Sequence, residues 1–526
     1  MKKKIISTIV CILLITIINS NSTGLNNFNK GDQINLYVES IFDWWPMFHH
    51  DLNHSGYSTA DTPETNNVKW SYATGDWLYS SPVVSDSKVY IGSDDYKLYC
   101  LDANDGTEIW NYTTGDWVDS SPAVSNDKVY VGSLDYKVYC LDANDGTEIW
   151  TYTTGDWVYS SPAVCDGKVY IGSFDGKVYC LDSVDGVKIW TYDTRDWVFS
   201  SPAVSNDKIY IGSNNGKLYC LDSVDGAEIW TYTTGDWIWS SPAVGDGKVY
   251  FGSGDYKVYC LDADDGAKIW TYTTGDWVDS SPAVCDGKVY IGSFDGKVYC
   301  LDANNGTELW IYATGDSIDS SPAVCDGKLY IGSFDRRVYC LNSANGSEIW
   351  TYNTGNNVRS SPAVCNSKVY IGSLDSKLYC FGEATPDLKC EGSIIETNLE
   401  PREKAICNFT IENIGEPNSL LNWEIINWPK DWGTWTFTPL SSTNLTPEDG
   451  PVKVNVSVVA PDEKNSDFTG EVKIINKENS SDNCTIQIYL KTPKNKHFYF
   501  NFSLLNQLYK HFPNAFPMLR FLFDLL

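Results

Sequence analysis

The chain has 526 residues and a formal net charge of −29, with 39 Lys and Arg against 68 Asp and Glu. A chain of this length exceeds the usual single domain, so more than one domain is expected. The negative charge argues against nucleic acid or an anionic membrane as the main partner, because both repel an acidic surface.

The first 24 residues have the order of a secretory signal peptide. Basic Met1–Lys4 is followed by apolar Ile5–Ile18 and then by polar Asn19–Gly24. The apolar run is shorter than the roughly 20 residues that a membrane-spanning helix needs. We therefore expect an exported protein, located outside the cell or at its surface.

Residues 25–66 are predicted to be a linker, 25–42, followed by a leader, 43–66. The leader is rich in histidine and aromatic residues: Trp44, Trp45, Phe48, His49, His50 and His54. The histidines and Asp51 could bind a metal, or the leader could pack across the next domain with its aromatic side chains buried. The spacing matches no established zinc motif, which favours the packed leader and no metal.

From residue 67 to 382 a unit of 40 residues recurs without insertion, which indicates a repeat architecture. The unit at 156–195 contains four predicted strands: Val158–Val164, Val169–Gly172, Val178–Leu181 and Lys188–Tyr192. Asp-Gly pairs mark the turns between them. Four short strands in about 40 residues are typical of one blade of a β-propeller.

The number of blades follows from counting strands. The first three strands of the unit occur eight times, whereas the fourth, which carries a Trp, follows only seven of them. The missing fourth strand lies upstream, at Val68–Tyr72, before the first unit. The sequence therefore predicts an eight-bladed ring in which this N-terminal strand completes the last blade, next to Leu378.

The end of each unit, Leu-Asp-Ala-x-x-Gly-x-x-x-Trp from Leu101 to Trp110, resembles the quinoprotein-type (PQQ-like) repeat. The motifs Trp45–Phe48 and His54–Gly56 resemble the segment that precedes the propeller in the non-catalytic branch of that family. The resemblance covers about residues 43–382. It implies an eight-bladed propeller but not an activity, because the family contains both PQQ-dependent dehydrogenases and non-catalytic members.

Sixteen cysteines in an exported chain would ordinarily suggest disulfides. Eight of them occupy the same position, on the third strand of each unit. Equivalent third strands of neighbouring blades should lie about 12 Å apart, and a disulfide needs Cα atoms within about 7 Å. These cysteines are therefore expected to be free and buried.

Residues 388–492 are predicted to form an immunoglobulin-like β-sandwich, because apolar and polar residues alternate in several short segments. The segments begin at Cys407, Val452, Glu471 and Cys484. Cys407 and Cys484 share the apolar phase of their strands, which allows a bridge between them and leaves Cys390 over. The module is similar to β-sandwiches appended to prokaryotic, notably archaeal, surface proteins.

Residues 494–526 are predicted to form a short amphipathic helical tail, because Leu504, Leu505, Leu508 and Phe512 follow helical spacing. Neither half is long enough to span a membrane. The tail could lie in a membrane surface, contact a partner, serve as a sorting signal or dock on the sandwich.

The candidate ligand site is a rim at the mouth of the propeller channel, built from two series in the Thr-Gly-Asp-Trp connections. The acidic series is Asp76, Asp116, Asp156, Asp196, Asp236, Asp276 and Asp316. The aromatic series is Trp77, Trp117, Trp157, Trp197, Trp237 and Trp277, and it is interrupted by Ser317 and Asn357. The tryptophans could equally be structural wedges between blades.

Positions that differ among near-identical units are those that packing does not dictate. The position two after the Trp varies most: Tyr79, Asp119, Tyr159, Phe199, Trp239, Asp279, Asp319 and Arg359. A loop position also varies: Asp94, Leu134, Phe174, Asn214, Gly254, Phe294, Phe334 and Leu374. The sequence therefore predicts an asymmetric rim, aromatic and acidic, that binds a ligand.

We predict a non-catalytic interaction or scaffold protein with no cofactor, whose partner is an extracellular protein or a glycan. The alternative is a PQQ- and calcium-dependent dehydrogenase. In that family an arginine and a calcium ion hold the cofactor, a tricarboxylate, and many members stack an adjacent Cys-Cys disulfide on it. This chain has no adjacent Cys-Cys pair, and its repeats contain no histidine and only four arginines: Arg195, Arg336, Arg337 and Arg359.

Overall fold

The computed structural model describes residues 43–417 and 419–493, and this part of the chain consists of β-strands with two short 3-10 helices, Lys430–Trp432 and Pro447–Asp449. The predicted signal peptide, the linker 25–42 and the predicted helical tail 494–526 lie outside the described residues. Within the described residues, no helix is long and apolar enough to cross a membrane.

Eight antiparallel sheets follow one another along the chain, and each has the strand order of a propeller blade. The first, innermost strands are Val83–Ser85, Ala123–Ser125, Ala163–Cys165, Ala203–Ser205, Ala243–Gly245, Ala283–Cys285, Ala323–Cys325 and Ala363–Cys365. The second strands are Lys88–Ser93, Lys128–Ser133, Lys168–Gly172, Lys208–Gly212, Lys248–Ser253, Lys288–Gly292, Lys328–Gly332 and Lys368–Ser373. We number these blades 1 to 8 in chain order.

The third strands are Lys97–Asp102, Lys137–Asp142, Lys177–Asp182, Lys217–Asp222, Lys257–Asp262, Lys297–Asp302, Arg337–Asn342 and Lys377–Gly382. The fourth, outermost strands of blades 1 to 7 are Glu108–Thr113, Glu148–Thr153, Lys188–Asp193, Glu228–Thr233, Lys268–Thr273, Glu308–Ala313 and Glu348–Asn353. The fourth strand of blade 8 is Val68–Ala73, which pairs antiparallel with Lys377–Gly382 and places Tyr72 opposite Leu378. The predicted closure of an eight-bladed ring by the N-terminal strand is confirmed.

The hydrophobic core is divided among the contacts between neighbouring blades. In one such cluster Tyr170, Cys180 and Trp190 of blade 3 pack with Ile211 and Tyr219 of blade 4. Each strand therefore needs apolar residues on both of its faces. This explains why apolar and polar residues do not simply alternate along the strands of a unit. The eight cysteines of the third strands are free and fully buried, as predicted.

The predicted first strand, Val158–Val164, is too long at its start. The structure begins this strand at Ala163 and ends it at Cys165. Pro162 precedes the strand directly, and a proline has no N–H to donate to a sheet. The residues before it instead form the connection that reaches the channel.

The leader crosses the channel and contacts the innermost strands of six blades. Backbone N–H groups of Val124, Val204, Val244, Val284 and Val324 donate to leader carbonyls at 2.7–2.8 Å, and Val84 exchanges two bonds with Trp45. Tyr57–Ser58 then adds a short parallel strand to blade 7. The leader therefore closes the channel at the end where the first strands run into their hairpin turns.

The histidines of the leader are part of this packing. His54 Nδ1 lies 3.1 Å from the carbonyl oxygen of Pro242, and His49 Nδ1 lies 3.3 Å from that of His54. Burial lowers the pKa of His49 to about 3 and that of His54 to about 4. Within the described residues, no group of three or more His, Cys, Asp or Glu side chains could hold a metal ion.

Residues 388–491 form two packed β-sheets around a separate core. The first sheet has the order Leu388–Glu391, Lys404–Asn413, Val452–Val459 and Trp435–Thr438. The second has the order Ile394–Thr397, Asn483–Lys491, Asp467–Asn476, Leu421–Asn427 and Ser441–Leu445. This is a β-sandwich, and its immunoglobulin-like classification stays a prediction.

The disulfide of the sandwich joins Cys390 to Cys484, whose Cα atoms are 6.0 Å apart. The bridge between Cys407 and Cys484 that the sequence allowed is therefore not the one formed, and Cys407 is the free cysteine of the sandwich. Both predicted partners do point towards the core, but Cys407 lies in the middle of its sheet, opposite Val456. Cys390 lies on the edge strand instead, and this strand brings its sulfur to Cys484.

The sandwich is attached to the last blade by a cluster of polar contacts. Lys69 Nζ, on the closing strand of blade 8, lies 2.6 Å from Glu416 Oε2. The same carboxylate oxygen accepts the backbone N–H of Thr385, in the connection between the domains, at 2.6 Å. One carboxylate thus links the closing strand, the connection and the sandwich.

Candidate functional site

The eight variable side chains converge on one pocket at the mouth of the channel. All eight line it: Tyr79, Asp119, Tyr159, Phe199, Trp239, Asp279, Asp319 and Arg359. The free volume of the pocket, including solvent at its open end, is about 650 Å³. Phe48 of the leader lies at its inner end and forms a floor; the sequence favoured a leader packed across the propeller but did not place Phe48 at this pocket.

A ring of serines holds this lining in place. The N–H of Ser81 donates to Ser121 Oγ at 2.9 Å, and the same bond links each blade to the next. The last bond, from Ser361 N–H to Ser81 Oγ at 2.9 Å, closes the circle. Because the ring is continuous, the variable side chain two residues before each serine is held at a similar depth in every blade.

Blades 3 to 5 form an aromatic wall, which we define as Tyr159, Phe199 and Trp239. Phe199 stacks on Tyr159 with a centroid distance of 5.0 Å and on Trp239 with a distance of 5.1 Å. Phe174 supports the first ring from behind at 4.8 Å, and Trp237 contacts the last ring at 5.4 Å. The wall is therefore a continuous stack that spans three of the eight blades.

Carboxylates flank this wall on both sides. Asp119 of blade 2 contacts Asp94, which is only 4% exposed. Burial raises the pKa of both residues, and in Asp94 the neighbouring Asp119 acts in the same direction. On the other side, burial raises the pKa of Asp279 to about 7, and the charge of Asp319 adds to this effect.

Arg359 lies on blade 8, opposite the centre of the aromatic wall in the order of the blades. Its Nε donates to the carboxylate of Asp319, and its guanidinium lies 4.8 Å from the centroid of the Tyr79 ring. The charge of Arg359 is thus shared mainly with Asp319. Asp119 and Asp279 remain as the less compensated carboxylates of the pocket.

The predicted rim of Trp and Asp residues surrounds this pocket on the outer face. Trp77, Trp117, Trp157, Trp197 and Trp277 are 38–48% exposed. Trp197 stacks on Phe174 of the preceding blade at 5.1 Å. Trp237 is less exposed because its ring lies against Gly254. A Cβ at this glycine would lie only 2.5 Å from the ring.

The rim aspartates have a local structural contact. The carboxylates of Asp76, Asp116 and Asp156 each accept the backbone N–H of the following Trp, at 2.8–2.9 Å. They shape the turn that presents each indole, and they are not among the described residues that line the pocket. Sequence reasoning missed the contact between Asp94 and Asp119; the signal available was that Asp94 is the one acidic member of its variable series.

We expect Asp279→Asn to stabilise the protein at alkaline pH. The folded-state pKa lies near 7, above the usual 3.8, so the native state carries an unfavourable charge once the pH exceeds this value. The variant should exceed the wild type by about 1–2 kcal/mol in free energy of unfolding at about pH 8, after allowance for solvent at the pocket mouth. The difference should shrink as the pH falls towards about 4.

Urea titrations at several pH values measure this difference. Asp185→Asn is the matched control, because Asp185 is exposed on the opposite loop face and an Asn there can still accept the N–H of Val187. A gain of stability in Asp279→Asn that is independent of pH would contradict the electrostatic explanation.

Two family profiles match parts of the repeat region. The family described as "Beta-alanine-activating enzyme, beta-propeller" matches residues 52–264, and the family described as "Outer membrane protein assembly factor BamB" matches residues 196–386. The repeats form a PQQ-like β-propeller. No curated protein is significantly similar in sequence to the chain.

Solved structures share the fold of this PQQ-like propeller. BamB from Moraxella catarrhalis is 19% identical, with a TM-score of 0.54, over 60% of this chain and 99% of that chain. A europium-containing methanol dehydrogenase is 15% identical, with a TM-score of 0.59, over 65% and 98% of the two chains. A quinohemoprotein alcohol dehydrogenase, ADHIIG from Pseudomonas putida HK5, is 16% identical, with a TM-score of 0.57, over 65% and 80%.

These solved structures are of an assembly factor and two dehydrogenases, so the fold by itself does not decide whether the PQQ-like propeller is an enzyme. The side chains of the pocket are a poor match for PQQ. PQQ is a tricarboxylate, whereas the lining presents Asp119, Asp279 and Asp319, and the one arginine among the described lining residues is already paired with Asp319. Carboxylates in a partly dehydrated pocket repel a polyanion.

Proposed function

We propose that this protein is a non-catalytic, exported interaction protein whose propeller channel binds an extracellular protein or glycan partner at the cell surface. The observation that carries the proposal is the asymmetric pocket. Blades that agree at their packing positions differ at the eight positions that line the channel mouth. A ligand is the simplest reason for such a difference, because the packing of the blades does not require it.

The chemistry of the pocket is that of recognition. It offers a stacked aromatic wall and hydrogen-bonding carboxylates, which suit the apolar faces and polar groups of a ligand. The leader closes the inner end, so a ligand would enter from the Trp-lined face and stop at Phe48. The order of residues 1–24 supports export, and the similarity to an outer-membrane assembly factor is compatible with a partner in the cell envelope.

We expect Trp239→Ala to weaken the binding of a pocket ligand by about tenfold or more, because it removes one end of the aromatic wall. The full chain should be screened against a glycan array and against purified cell-envelope proteins, and each hit should be measured by calorimetry. Ile149→Ala is the control, since Ile149 is 42% exposed on the outermost strand of blade 2. A hit whose affinity is unchanged in Trp239→Ala would place binding elsewhere and contradict the proposal.

A further inference from the structure

We propose that the pocket selects a ligand with an apolar body and one cationic head, such as an alkyl- or arylalkylammonium group, whether free or carried by a side chain of a partner. This inference rests on the proposed function and names the chemistry that the same site recognises. The apolar body would lie against the aromatic wall, and the ammonium group would bind at one of the two carboxylates beside it.

The charges of the lining favour a cation. The described residues that line the pocket include three carboxylates, Asp119, Asp279 and Asp319, against one guanidinium. Arg359 is paired with Asp319 and lies over Tyr79. Asp119 and Asp279, on either side of the aromatic wall, are left without a basic partner among the described lining residues. Ionised carboxylates at low exposure are unfavourable unless a cation approaches them.

Hydrogen bonding points to the same ligand. Among the described residues, Asp119 Oδ1 is buried without a hydrogen-bond donor, and the carboxyl group of Asp94 beside it is an acidic neighbour and not a basic partner. Asp279 receives one long bond, from Trp237 Nε1 at 3.3 Å. An ammonium group brings three donors and a positive charge, so it satisfies such acceptors better than a single hydroxyl does.

The aromatic wall sets the orientation of the ligand. Because Tyr159, Phe199 and Trp239 stack on one another, the middle ring has both faces covered, and the wall offers largely ring edges to the channel. The edge of an aromatic ring carries partial positive charge. The wall therefore accepts hydrocarbon but does not attract the cation, which leaves the head group to the carboxylates.

Binding of a cation should depend on pH, because it requires ionised carboxylates. The charged and titratable groups that face Asp279 and Asp119 are Asp94, Asp116, Asp276, Asp319, Arg359, Tyr79 and Tyr159. Tyr159 has its pKa raised to about 12 by burial, so it stays neutral in the range considered. The ionised fraction of Asp279 rises as the pH increases through about 7, and the affinity for a cation should rise with it.

The test uses three probes of similar shape and different charge: 2-phenylethylammonium, 2-phenylethanol and 3-phenylpropanoate. Calorimetry on the full chain at about pH 8 should show that the ammonium probe binds at least about tenfold more tightly than the alcohol and that the carboxylate probe binds most weakly. Lowering the pH to about 5.5 should weaken the binding of the ammonium probe about tenfold and leave the affinity for the alcohol unchanged. The ammonium group itself stays protonated in this range, because its pKa resembles that of lysine.

Variants show which carboxylates bind the ammonium group. Asp279→Asn and Asp119→Asn should each weaken the binding of the ammonium probe and reduce the pH dependence of its affinity. The double variant should bind the ammonium and alcohol probes with similar affinity. Asp185→Asn removes the same charge from the opposite loop face and should bind as the wild type does. Urea unfolding of each variant verifies that it is folded.

Two outcomes would overturn the inference while leaving the proposed function intact. The alcohol or the carboxylate probe could bind as well as the ammonium, or a partner found in the screen could require Trp239 but neither carboxylate. A different outcome concerns the proposed function: if Trp239→Ala changed the affinity of no probe and no partner, the pocket itself would not be a binding site.

Discussion

Trp70→Ala should destabilise the propeller by about 3–5 kcal/mol and should open the ring at blade 8. Trp70 is the buried residue of the closing strand, and its Nε1 donates to the carbonyl of Ala103 at 3.3 Å. Its ring packs on Tyr370 and leaves no room for a side chain at Gly106, where a Cβ would lie 2.6 Å away. These contacts join the N-terminal strand both to blade 8 and to the loop of blade 1.

Trp150→Ala is a matched control, because the repeat gives Trp150 the same surroundings. Its Nε1 donates to Ser183 at 3.3 Å, its ring packs on Tyr130, and Gly186 lies against it. Trp150 belongs to a blade whose four strands are consecutive in the chain, however, so its loss should leave the ring closed. Both variants should lose similar free energy of unfolding in urea.

Hydrogen exchange separates the two variants. The amides of Lys377–Gly382 pair with the closing strand, so Trp70→Ala should greatly reduce their protection, and Trp150→Ala should not. Equal protection of this strand in both variants would show that the closing strand does not control the integrity of the ring.

The second large effect is expected for Gly252→Ala, which should cost about 3 kcal/mol or more because it overpacks the contact between two blades. A Cβ at this position would lie 2.3 Å from the carbonyl oxygen of Val278 and 2.4 Å from its side chain. The backbone cannot move away freely, since the N–H of Gly252 donates to Ser240 Oγ at 3.0 Å. Glycine occurs here in every blade, and in blades 1 to 7 a Cβ would lie 2.2–2.4 Å from an atom of the next blade.

Gly247→Asp is the control for this substitution. Gly247 has a φ of +71°, but no atom lies within 4 Å of a Cβ built there. Asp127 and Asp207 occupy the equivalent turn position in other blades with φ of 58° and 59°, so aspartate is accommodated. Thermal or urea unfolding should show a small change for Gly247→Asp and a large one for Gly252→Ala. Similar stabilities would contradict the steric explanation.

Much of the architecture follows from the sequence because the repeat is regular. A strand period, a hairpin signal and a count of Trp-bearing strands are local features, and they were enough to predict eight blades closed by Val68–Tyr72, one residue shorter than the observed strand. The variable positions from Tyr79 to Arg359 could also be identified from the sequence. The blades pack against one another in the same way, so they differ only at positions where packing does not determine the residue.

Other features depend on distances between segments that no local pattern encodes. The ring brings Asp94 of blade 1 against Asp119 of blade 2, and the leader brings Phe48 to the inner end of the pocket that Asp119 lines, although spacing along the chain predicts neither arrangement. The sandwich pairs Cys484 with Cys390 and not with Cys407 because an edge strand of one sheet reaches the other sheet. The sequence by itself determined the blades and which of their residues vary; the curvature of the closed ring and the path of the leader decided which of those residues face one another, because side chains from separate blades meet only when the ring is complete.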